Sequence, residues 1–344
     1  MSRGDPREPS NVGQEPSKSE EKNLAESAAV GAKRPDPDRA PPLESPELSI
    51  VTVNWNVKDL LLRMISSVPR AAGHLSHEVV VVDNASADGS ADAARESFPR
   101  AIIIKSPENL GFARGNNLGF QSSRGELVAF VNPDVELPPG SLERLATFLR
   151  ARPLAGMVGP KIVKPDGEVQ SAPGPLPSVR TVLGVLPGAY RLEQAFRPPP
   201  PEAPVRCGYL HGSCFVFRRR AYEAIGRMPT LTFMYGEEIL MGRRLKDAGF
   251  DAWYVPDVEV VHQDDASANK RWAPTEKDLV RRRAYAITMR AVLSGRQFLL
   301  WNSIMLTRSL GALATVDSKK RTIAKELLRI HLEAARFEPP DSDS

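Results

Sequence analysis

The sequence of 344 residues has only two cysteines, Cys207 and Cys214. Two thiols cannot form a disulfide framework, and their spacing with His211 does not match a zinc site. No apolar run approaches the ~18 residues that a membrane-spanning helix needs, and the N-terminus lacks the apolar core of a secretory signal. These absences predict a protein of a reducing compartment, the cytoplasm.

A large excess of one charge is also absent, because the chain has 46 basic and 42 acidic residues and a net charge of +4. That balance does not indicate nucleic acid, and no stacking platform of aromatic and basic residues is evident, so no nucleic-acid partner is expected. Apolar residues make up 41% of the chain, which is enough to form a sizeable core.

Residues 1–47 are rich in proline, glutamate and serine and contain almost no large apolar side chains. Such a segment cannot bury enough surface to offset its conformational entropy, so it is predicted to be a disordered tail. A simple solvated tail is favoured over a partner-binding segment.

From Leu48 the chain alternates between short apolar runs and segments with helical spacing. Strands are predicted at 48–53, 78–83, 101–105, 126–131 and 156–163, with helices between them. Continuously apolar strands that alternate with helices are typical of a mostly parallel, Rossmann-like α/β sheet covered on both faces. A proline-rich stretch at 165–204 is interpreted as a loop or lid. A strand-like segment at 209–217 and a helix at 237–248 follow.

Residues 269–344 are predicted to form a basic, amphipathic helical extension. Fifteen Lys and Arg residues face five Asp and Glu residues between positions 270 and 337. Such helices bind anionic lipid surfaces, which would hold the protein at the inner face of the membrane. A solvated helix face or an oligomer contact explains the pattern equally well, and the oligomeric state is not predicted.

Polar residues follow the predicted strands, at the edge where open α/β sheets bind ligands. Asp83 could accept hydrogen bonds from a base or a ribose. Asn132 and Asp134 place two oxygen-bearing side chains at i and i+2, an arrangement that suits Mg²⁺ or Mn²⁺. Ordinary turn chemistry is the alternative at each of these positions.

Three further patterns are candidates for chemistry. The glycine-bearing loop from Asn109 to Asn117 could approach a phosphate, although it is neither a Walker sequence nor GxGxxG. Glu237 and Glu238 could supply a general base and its partner, or could simply favour a helix N-terminus. His262 could be a metal ligand, but a lone histidine is more often structural.

Taken together and in order, these motifs resemble the inverting family-2 glycosyltransferases with the GT-A fold, in particular bacterial rhamnosyltransferase-like members. The resemblance covers roughly residues 48–268. It rests on Val-Asn-Trp-Asn56, Val-Val-Asp83-Asn-Ala-Ser-Ala-Asp-Gly-Ser, Asn109-Leu-Gly-Phe-Ala-Arg-Gly-Asn-Asn, Asn132-Pro-Asp134, Gly212-Ser-Cys-Phe-Val-Phe-Arg-Arg, Phe-Met-Tyr235-Gly-Glu-Glu238 and Val-Val-His262.

The resemblance implies a nucleotide-binding half at 48–150 and an acceptor and catalytic half at 151–268. Asp83 would contact the nucleotide base beside a wall formed by Asn54 and Asn56. The ribose and diphosphate would lie on the glycine loop. The substrate-binding residues that the resemblance adds are Asn109, Gly111, Arg114, Asn116, Asn132 and Gly212.

By the same resemblance, Asp134 would bind Mg²⁺ or Mn²⁺ and His262 would complete the metal shell. Glu238, with Glu237 beside it, falls where the family places its catalytic base, usually an aspartate. Leu240 replaces a common acidic residue and Gly236 a usual aromatic one. A non-catalytic sugar-binding relative is therefore the alternative function.

The function implied is transfer of a sugar, with rhamnose as the first candidate, from a nucleotide-sugar donor. The acceptor would be a hydroxyl of a glycan or of a lipid-linked glycan in cell-surface polysaccharide synthesis. A divalent ion would neutralise the departing diphosphate while a carboxylate takes the acceptor proton.

Overall fold

A computed structural model of the chain describes residues 45–171, 173–184, 200–263, 266–314 and 317–339. Most of the predicted tail, residues 1–44, lies outside the described residues. Residues 185–199, in the middle of the predicted proline-rich loop, also lie outside them. Within the rest of that loop the structure has a short strand, a short helix and irregular segments.

The described residues form one mixed sheet of ten strands. The strands are β1 Leu48–Asn54, β2 His77–Asp83, β3 Ile102–Lys105, β4 Leu127–Val131, β5 Val135–Glu136, β6 Ala155–Val163, β7 Val169–Ser171, β8 Val205–Cys207, β9 Cys214–Arg218 and β10 Asp251–His262. Eight of them follow the order β3-β2-β1-β4-β9-β6-β10-β5, while β7 pairs with β6 and β8 with β10.

Helices pack around this sheet in the described part of the chain. They are α1 Lys58–Ala72, α2 Ser90–Ser97, α3 Gly111–Gln121, α4 Ser141–Arg150, α5 Val179–Gly184, α6 Arg219–Ala224, α7 Glu237–Asp247, α8 Ala266–Arg271, α9 Pro274–Val292, α10 Gly295–Ala312 and α11 Ser318–Arg336.

The first four strands are all parallel, as the continuous apolar runs predict, with β1 between β2 and β4. Ile50 and Val51 point to opposite faces of β1 and both are fully buried, which requires helices on both sides of the sheet. On one side, α1 covers the sheet with Leu61 and Val68. The parallel α/β arrangement predicted from the sequence is therefore present in this part of the sheet.

The second half of the sheet contains antiparallel strands. β9 lies between β4 and β6 and runs antiparallel to both. Of the predicted strand at 209–217, only residues from Cys214 onward join the sheet, and the segment before them turns toward the carboxyl ends of the neighbouring strands. β5, β7 and β8 have two or three residues each, which is too short for an apolar pattern to predict.

The helices after residue 266 pack against α7 and not only against one another. Leu240 on α7, Met289 on α9, Phe298 and Trp301 on α10, and Ile330 on α11 are all buried in one apolar cluster. Among the described residues, none of these helices is long and apolar enough to cross a membrane. The basic extension predicted from the sequence thus supports the helix that carries Glu237 and Glu238.

Candidate active site

A cavity of about 600 Å³ lies beyond the carboxyl ends of the central strands. Its lining comes from segments that are far apart in sequence, from β1 to α11. Most of the predicted site residues are in that lining, namely Asn109, Gly111, Asn132, Asp134, Gly212, Glu237, Glu238 and His262. The candidate carboxylates and the candidate metal ligands therefore share one space.

The pair of Asp134 and His262 forms because the two-residue strand β5 pairs with the end of β10. Val135 is the register partner of His262, so the residue before Val135 lies beside the imidazole. Asp134 Oδ1 is 3.2 Å from His262 Nε2, and both side chains are almost fully buried. Asn132 completes the turn, with its N–H donating to the Ser213 carbonyl at 2.8 Å.

The hydrogen bonding of His262 suits a metal ligand. Its Nδ1 lies 2.7 Å from the Gln170 amide oxygen, which only accepts, so Nδ1 carries a proton. Nε2 is buried and makes no hydrogen bond among the described residues, although Asp134 is close. The Asp134 carboxylate and His262 Nε2 are therefore close enough for both to bind one cation. Within the described residues, no cluster of three or more His, Cys, Asp or Glu side chains adds to this pair.

Glu237 and Glu238 begin α7 and face the same cavity. Burial raises the pKa of Glu237 from 4.5 to about 8, and the charge of Glu238 adds to the shift. Burial also raises the pKa of Glu238, whose side chain is partly accessible from the cavity. Two carboxyl groups with raised pKa values at one site bind protons more tightly than exposed glutamates do, which suits acid–base catalysis.

The departures from the family pattern near these glutamates follow from packing. Tyr235 and Gly236 have φ values of +76° and +92°, so the loop enters α7 through two left-handed residues. A Cβ atom on Gly236 would lie 2.2 Å from Thr288 Oγ1 on α9, which leaves no room for an aromatic residue. Leu240 is buried against the C-terminal helices, which explains an apolar residue in place of an acidic one.

Asn84 is a lining residue for which the sequence predicted no role of its own. Its amide group donates to Asn109 Oδ1 at 3.0 Å and to the Gly111 carbonyl at 3.2 Å, and it accepts from the Leu110 N–H at 3.1 Å. Gly111 has a φ of +79°, and a Cβ there would lie 2.3 Å from the Phe233 carbonyl oxygen. Asn84 therefore fixes the glycine loop against the loop that precedes Glu237.

Asn54, Asn56 and Asp83 lie beside the cavity but do not line it. Asn54 Nδ2 donates to Asp83 Oδ1 at 3.1 Å and to Ser86 Oγ at 3.1 Å. Asn56 Oδ1 accepts from the Ala87 N–H at 2.7 Å. These side chains tie the ends of β1 and β2 together, so their direct contact with a nucleotide remains a prediction.

Arg114 and Asn116 also lie outside the cavity lining. Arg114 is exposed on α3, and Asn116 is buried with its Nδ2 donating to the Phe112 carbonyl of the same helix at 3.0 Å. Both residues lie on a helix whose N-terminus begins at the glycine loop. Their role in holding a diphosphate stays a prediction.

The C-terminal helices contribute a wall of the cavity that the sequence did not predict. From the sequence, these basic and apolar helices were predicted to form a lipid-binding surface, a solvated face or an oligomer contact. A residue pattern along one helix does not reveal which cavity the helix faces, so the wall was not predicted. The wall residues are Arg281, Arg282, Tyr285, Trp301, Met305, Leu327 and His331.

Residues 49–226 match the model of glycosyl transferase family 2. The chain belongs to this family. N-acetylglucosaminyl-diphospho-decaprenol L-rhamnosyltransferase of Mycobacterium tuberculosis is 32% identical over 246 residues, which are 65% of this chain and 78% of that protein. O-antigen biosynthesis protein RfbC of Myxococcus xanthus is 26% identical over 247 residues, which are 67% of this chain and 18% of that protein.

Solved structures agree on the fold. The crystal structure of residues 1–349 of S. aureus TarS has a TM-score of 0.54 at 14% identity and covers 84% of this chain and 81% of that one. The same protein in complex with UDP-GlcNAc gives a TM-score of 0.54 at 13% identity. This family-2 chain has the GT-A fold, resembles rhamnosyltransferases and is a glycosyltransferase, which confirms the resemblance seen in the sequence.

The raised pKa of Glu237 makes stability depend on pH. The folded state binds this proton more tightly than the unfolded state, so the free energy of unfolding falls as pH rises from 4.5 to about 8. We expect Glu237→Gln to flatten this dependence and, above pH 8, to exceed the parent protein in stability by at least ~1 kcal/mol. Urea denaturation at a series of pH values measures both effects.

Glu96→Gln is the control, because Glu96 is exposed on α2 and does not line the cavity. It should leave the pH dependence of the parent protein intact. Parallel pH profiles for Glu237→Gln and the parent protein would contradict the assignment.

Proposed function

We propose that this glycosyltransferase transfers a sugar from a nucleotide-sugar donor to a hydroxyl of a glycan or lipid-linked acceptor, with inversion at the anomeric carbon. The observation that carries the proposal is the shared cavity of Asp134, His262, Glu237 and Glu238. Cell-surface polysaccharide synthesis and rhamnose as the sugar are supported by the similarity to the rhamnosyltransferase of Mycobacterium tuberculosis and the O-antigen biosynthesis protein of Myxococcus xanthus.

Mg²⁺ or Mn²⁺ would be held by Asp134 and His262. Two protein donors leave positions for diphosphate oxygens and water, which is how such ions usually bind in nucleotide sites. When bound, the ion supplies positive charge for the departing diphosphate. Gln170 would orient His262 for this role by accepting a hydrogen bond from Nδ1.

Glu238 would act as the general base. The acceptor oxygen forms a bond to the anomeric carbon, the bond from that carbon to the diphosphate oxygen breaks, and the acceptor proton passes to the Glu238 carboxylate. A raised pKa makes the carboxylate a better proton acceptor than an exposed glutamate. Glu237 is the buried neighbour whose ionisation is coupled to that of Glu238 by charge.

The donor would lie on the side of β1 and β2. Asp83 would reach the base, with Asn54 and Asn56 holding the strand ends that frame it. Asn84 would keep the glycine loop, and with it the start of α3, in position for the ribose and diphosphate.

The metal site has a direct binding test. With Mn²⁺ and each of UDP, dTDP and GDP, we expect at least one nucleoside diphosphate to raise the melting temperature by several degrees, because a ligand that binds only the folded state stabilises it. Asp134→Asn preserves the shape of the side chain but removes its charge, and it should abolish this shift in differential scanning fluorimetry.

Asp59→Ala, an exposed change on α1, should keep the full shift. No shift with any of the three nucleotides in the parent protein would contradict the donor site.

Glu238→Gln separates catalysis from binding. We expect donor turnover, measured as slow hydrolysis of the nucleotide sugar, to fall by a factor of about 100 or more while the thermal shift with nucleoside diphosphate remains. Glu223→Gln, an exposed change on α6, should leave both unchanged. If the parent protein hydrolyses no donor in a screen of common nucleotide sugars but binds nucleoside diphosphate, the non-catalytic alternative gains support.

We also propose that the protein associates peripherally with the anionic inner face of the membrane through α10. Leu299, Leu300 and Leu310 are 64%, 55% and 54% exposed on that helix, and Arg296 is exposed beside them. Exposed leucines flanked by basic residues suit the interface of an anionic bilayer.

The double change Leu299→Ser and Leu300→Ser tests this surface. We expect it to reduce co-sedimentation with phosphatidylglycerol vesicles severalfold, because less apolar surface enters the interface. Leu154→Ser is the matched control, since Leu154 is 61% exposed on the turn between α4 and β6. Equal pelleting of the parent protein and the double variant would contradict the proposal.

A further inference from the structure

One residue of the wall that α9, α10 and α11 contribute has hydrogen bonds that fix the state of its ring. His331 lies on α11, is 3% exposed and lines the cavity. The residue before it, Ile330, is buried in the same apolar cluster as Leu240 of α7, the helix that carries Glu238. Strands β1 and β2 contribute no residue to this cluster. The packing of α11 therefore ties His331 to the helix of Glu238 and not to the strands of the proposed donor site.

Asn302 on α10 determines which nitrogen of His331 carries a proton. Asn302 Nδ2 donates to the backbone carbonyl of His331 at 3.1 Å, and a carbonyl oxygen only accepts, so the orientation of the amide group is set. This orientation places Asn302 Oδ1 2.9 Å from His331 Nδ1. Because an amide oxygen also only accepts, Nδ1 carries the proton, and Nε2 of the neutral ring has a lone pair.

Nε2 is the ring nitrogen that His331 can offer to a ligand. Among the described residues it has no hydrogen-bond partner, but it is not one of the polar atoms sealed from solvent, whereas Nε1 of the neighbouring Trp301 is one of them. The Trp301 ring packs against the imidazole at 5.3 Å between centroids, and Asn302 holds its other nitrogen. A fixed hydrogen-bond acceptor is therefore available in the wall of the cavity.

The surroundings of His331 keep its ring neutral. Burial lowers the pKa of His331 to about 4, and the positive charge of Arg282 adds to the shift. Arg282 itself pairs with Asp278 at 2.7 Å. Near pH 7 Nε2 is therefore an acceptor only, so a phosphate or carboxylate oxygen would meet a lone pair and not a proton. The ligand group that pairs with Nε2 must be a hydrogen-bond donor.

We propose that His331 binds a hydroxyl group of the acceptor sugar through Nε2, and that Asn302 is the positioning residue that fixes the required tautomer. The inference rests on the proposed transferase function, whose acceptor presents hydroxyl groups on the Glu238 side of the cavity. It makes His331 a specificity-determining residue. An acceptor without this hydroxyl leaves a buried lone pair unpaired, which costs more than the hydrogen bond itself contributes.

The tautomer of His331 can be observed directly in the full chain. With ¹⁵N-labelled histidine, long-range ¹H–¹⁵N correlation spectra distinguish protonated from unprotonated ring nitrogens, and the His331→Asn spectrum identifies the His331 signals among the five histidines. At pH 7 we expect a protonated Nδ1 and an unprotonated Nε2. A protonated Nε2, in either the other tautomer or the imidazolium form, would overturn the inference.

His331→Asn separates ligand binding from a purely structural role. Asparagine can place an N–H group near the position of Nδ1 and keep the bond to Asn302, but it has no group at the position of Nε2. The probes are the methyl glycosides of glucose, galactose, mannose and N-acetylglucosamine, titrated by saturation-transfer NMR with the full chain, Mn²⁺ and saturating nucleoside diphosphate. We expect at least one to bind, and its affinity to fall about fivefold or more in His331→Asn.

His74→Asn is the matched control, since His74 is exposed and outside the cavity lining, and it should bind the glycoside as the parent protein does. Monodeoxy analogues of the glycoside then identify the hydroxyl. Removal of the hydroxyl that His331 binds should weaken binding to the parent protein and to the control. It should not weaken binding to His331→Asn further, because the shared interaction can be lost only once.

Three results of the titrations would overturn the inference: no glycoside binding to the parent protein, equal glycoside affinity of the parent protein and His331→Asn, or weakened binding of nucleoside diphosphate in His331→Asn. The last result would place His331 in the donor site. Circular dichroism verifies that His331→Asn is folded. If it is not, a shift of the Nε2 resonance of the parent protein on addition of glycoside decides, and no shift with any of the four would overturn the inference.

Failure of the proposed function is distinguishable from failure of this inference. Without a donor site, the parent protein would show no thermal shift with any nucleoside diphosphate. The glycoside titrations, repeated without nucleotide, and the tautomer of His331 would still be measurable.

Discussion

The pairing of two short chain segments, β5 and the end of β10, determines the geometry of the candidate metal site. β5 has two residues and pairs only through Val135 and Glu136, yet this register brings Asp134 within 3.2 Å of His262. Both side chains are almost fully buried, so a carboxylate oxygen and an imidazole nitrogen are held next to each other. The sheet edge therefore positions the two donors that the proposed divalent ion requires.

The other half of the site depends on apolar packing. Glu237 and Glu238 keep their raised pKa values only while α7 is covered, and that cover comes from α9, α10 and α11. The basic C-terminal helices thus help to set the proton affinity of Glu237 and Glu238. The charge pattern of these helices does not predict this effect on the pKa values, because it is the buried apolar residues of the same helices that cover α7.

Much of this arrangement was predictable from the sequence, for identifiable reasons. β1 and β2 are continuous apolar runs, and polar residues at strand ends mark the binding edge of any parallel sheet. β5 was not predictable, because two residues carry no periodicity. The hydrogen bonds of Asn84 to the glycine loop and the position of Trp301 in the cavity lining were not predictable either, since both depend on contacts between segments distant in sequence.

The close contact between Gly236 and Thr288 limits which sequence changes this region can accept. The loop before α7 and the middle of α9 are in close contact at Gly236 and Thr288, so a bulkier residue in one requires a smaller residue in the other. Because α9 also carries Arg281 and Tyr285, which line the cavity, a different loop would also change this wall of the cavity. In chimeras between homologues, the loop before α7 and α9 should therefore be exchanged together.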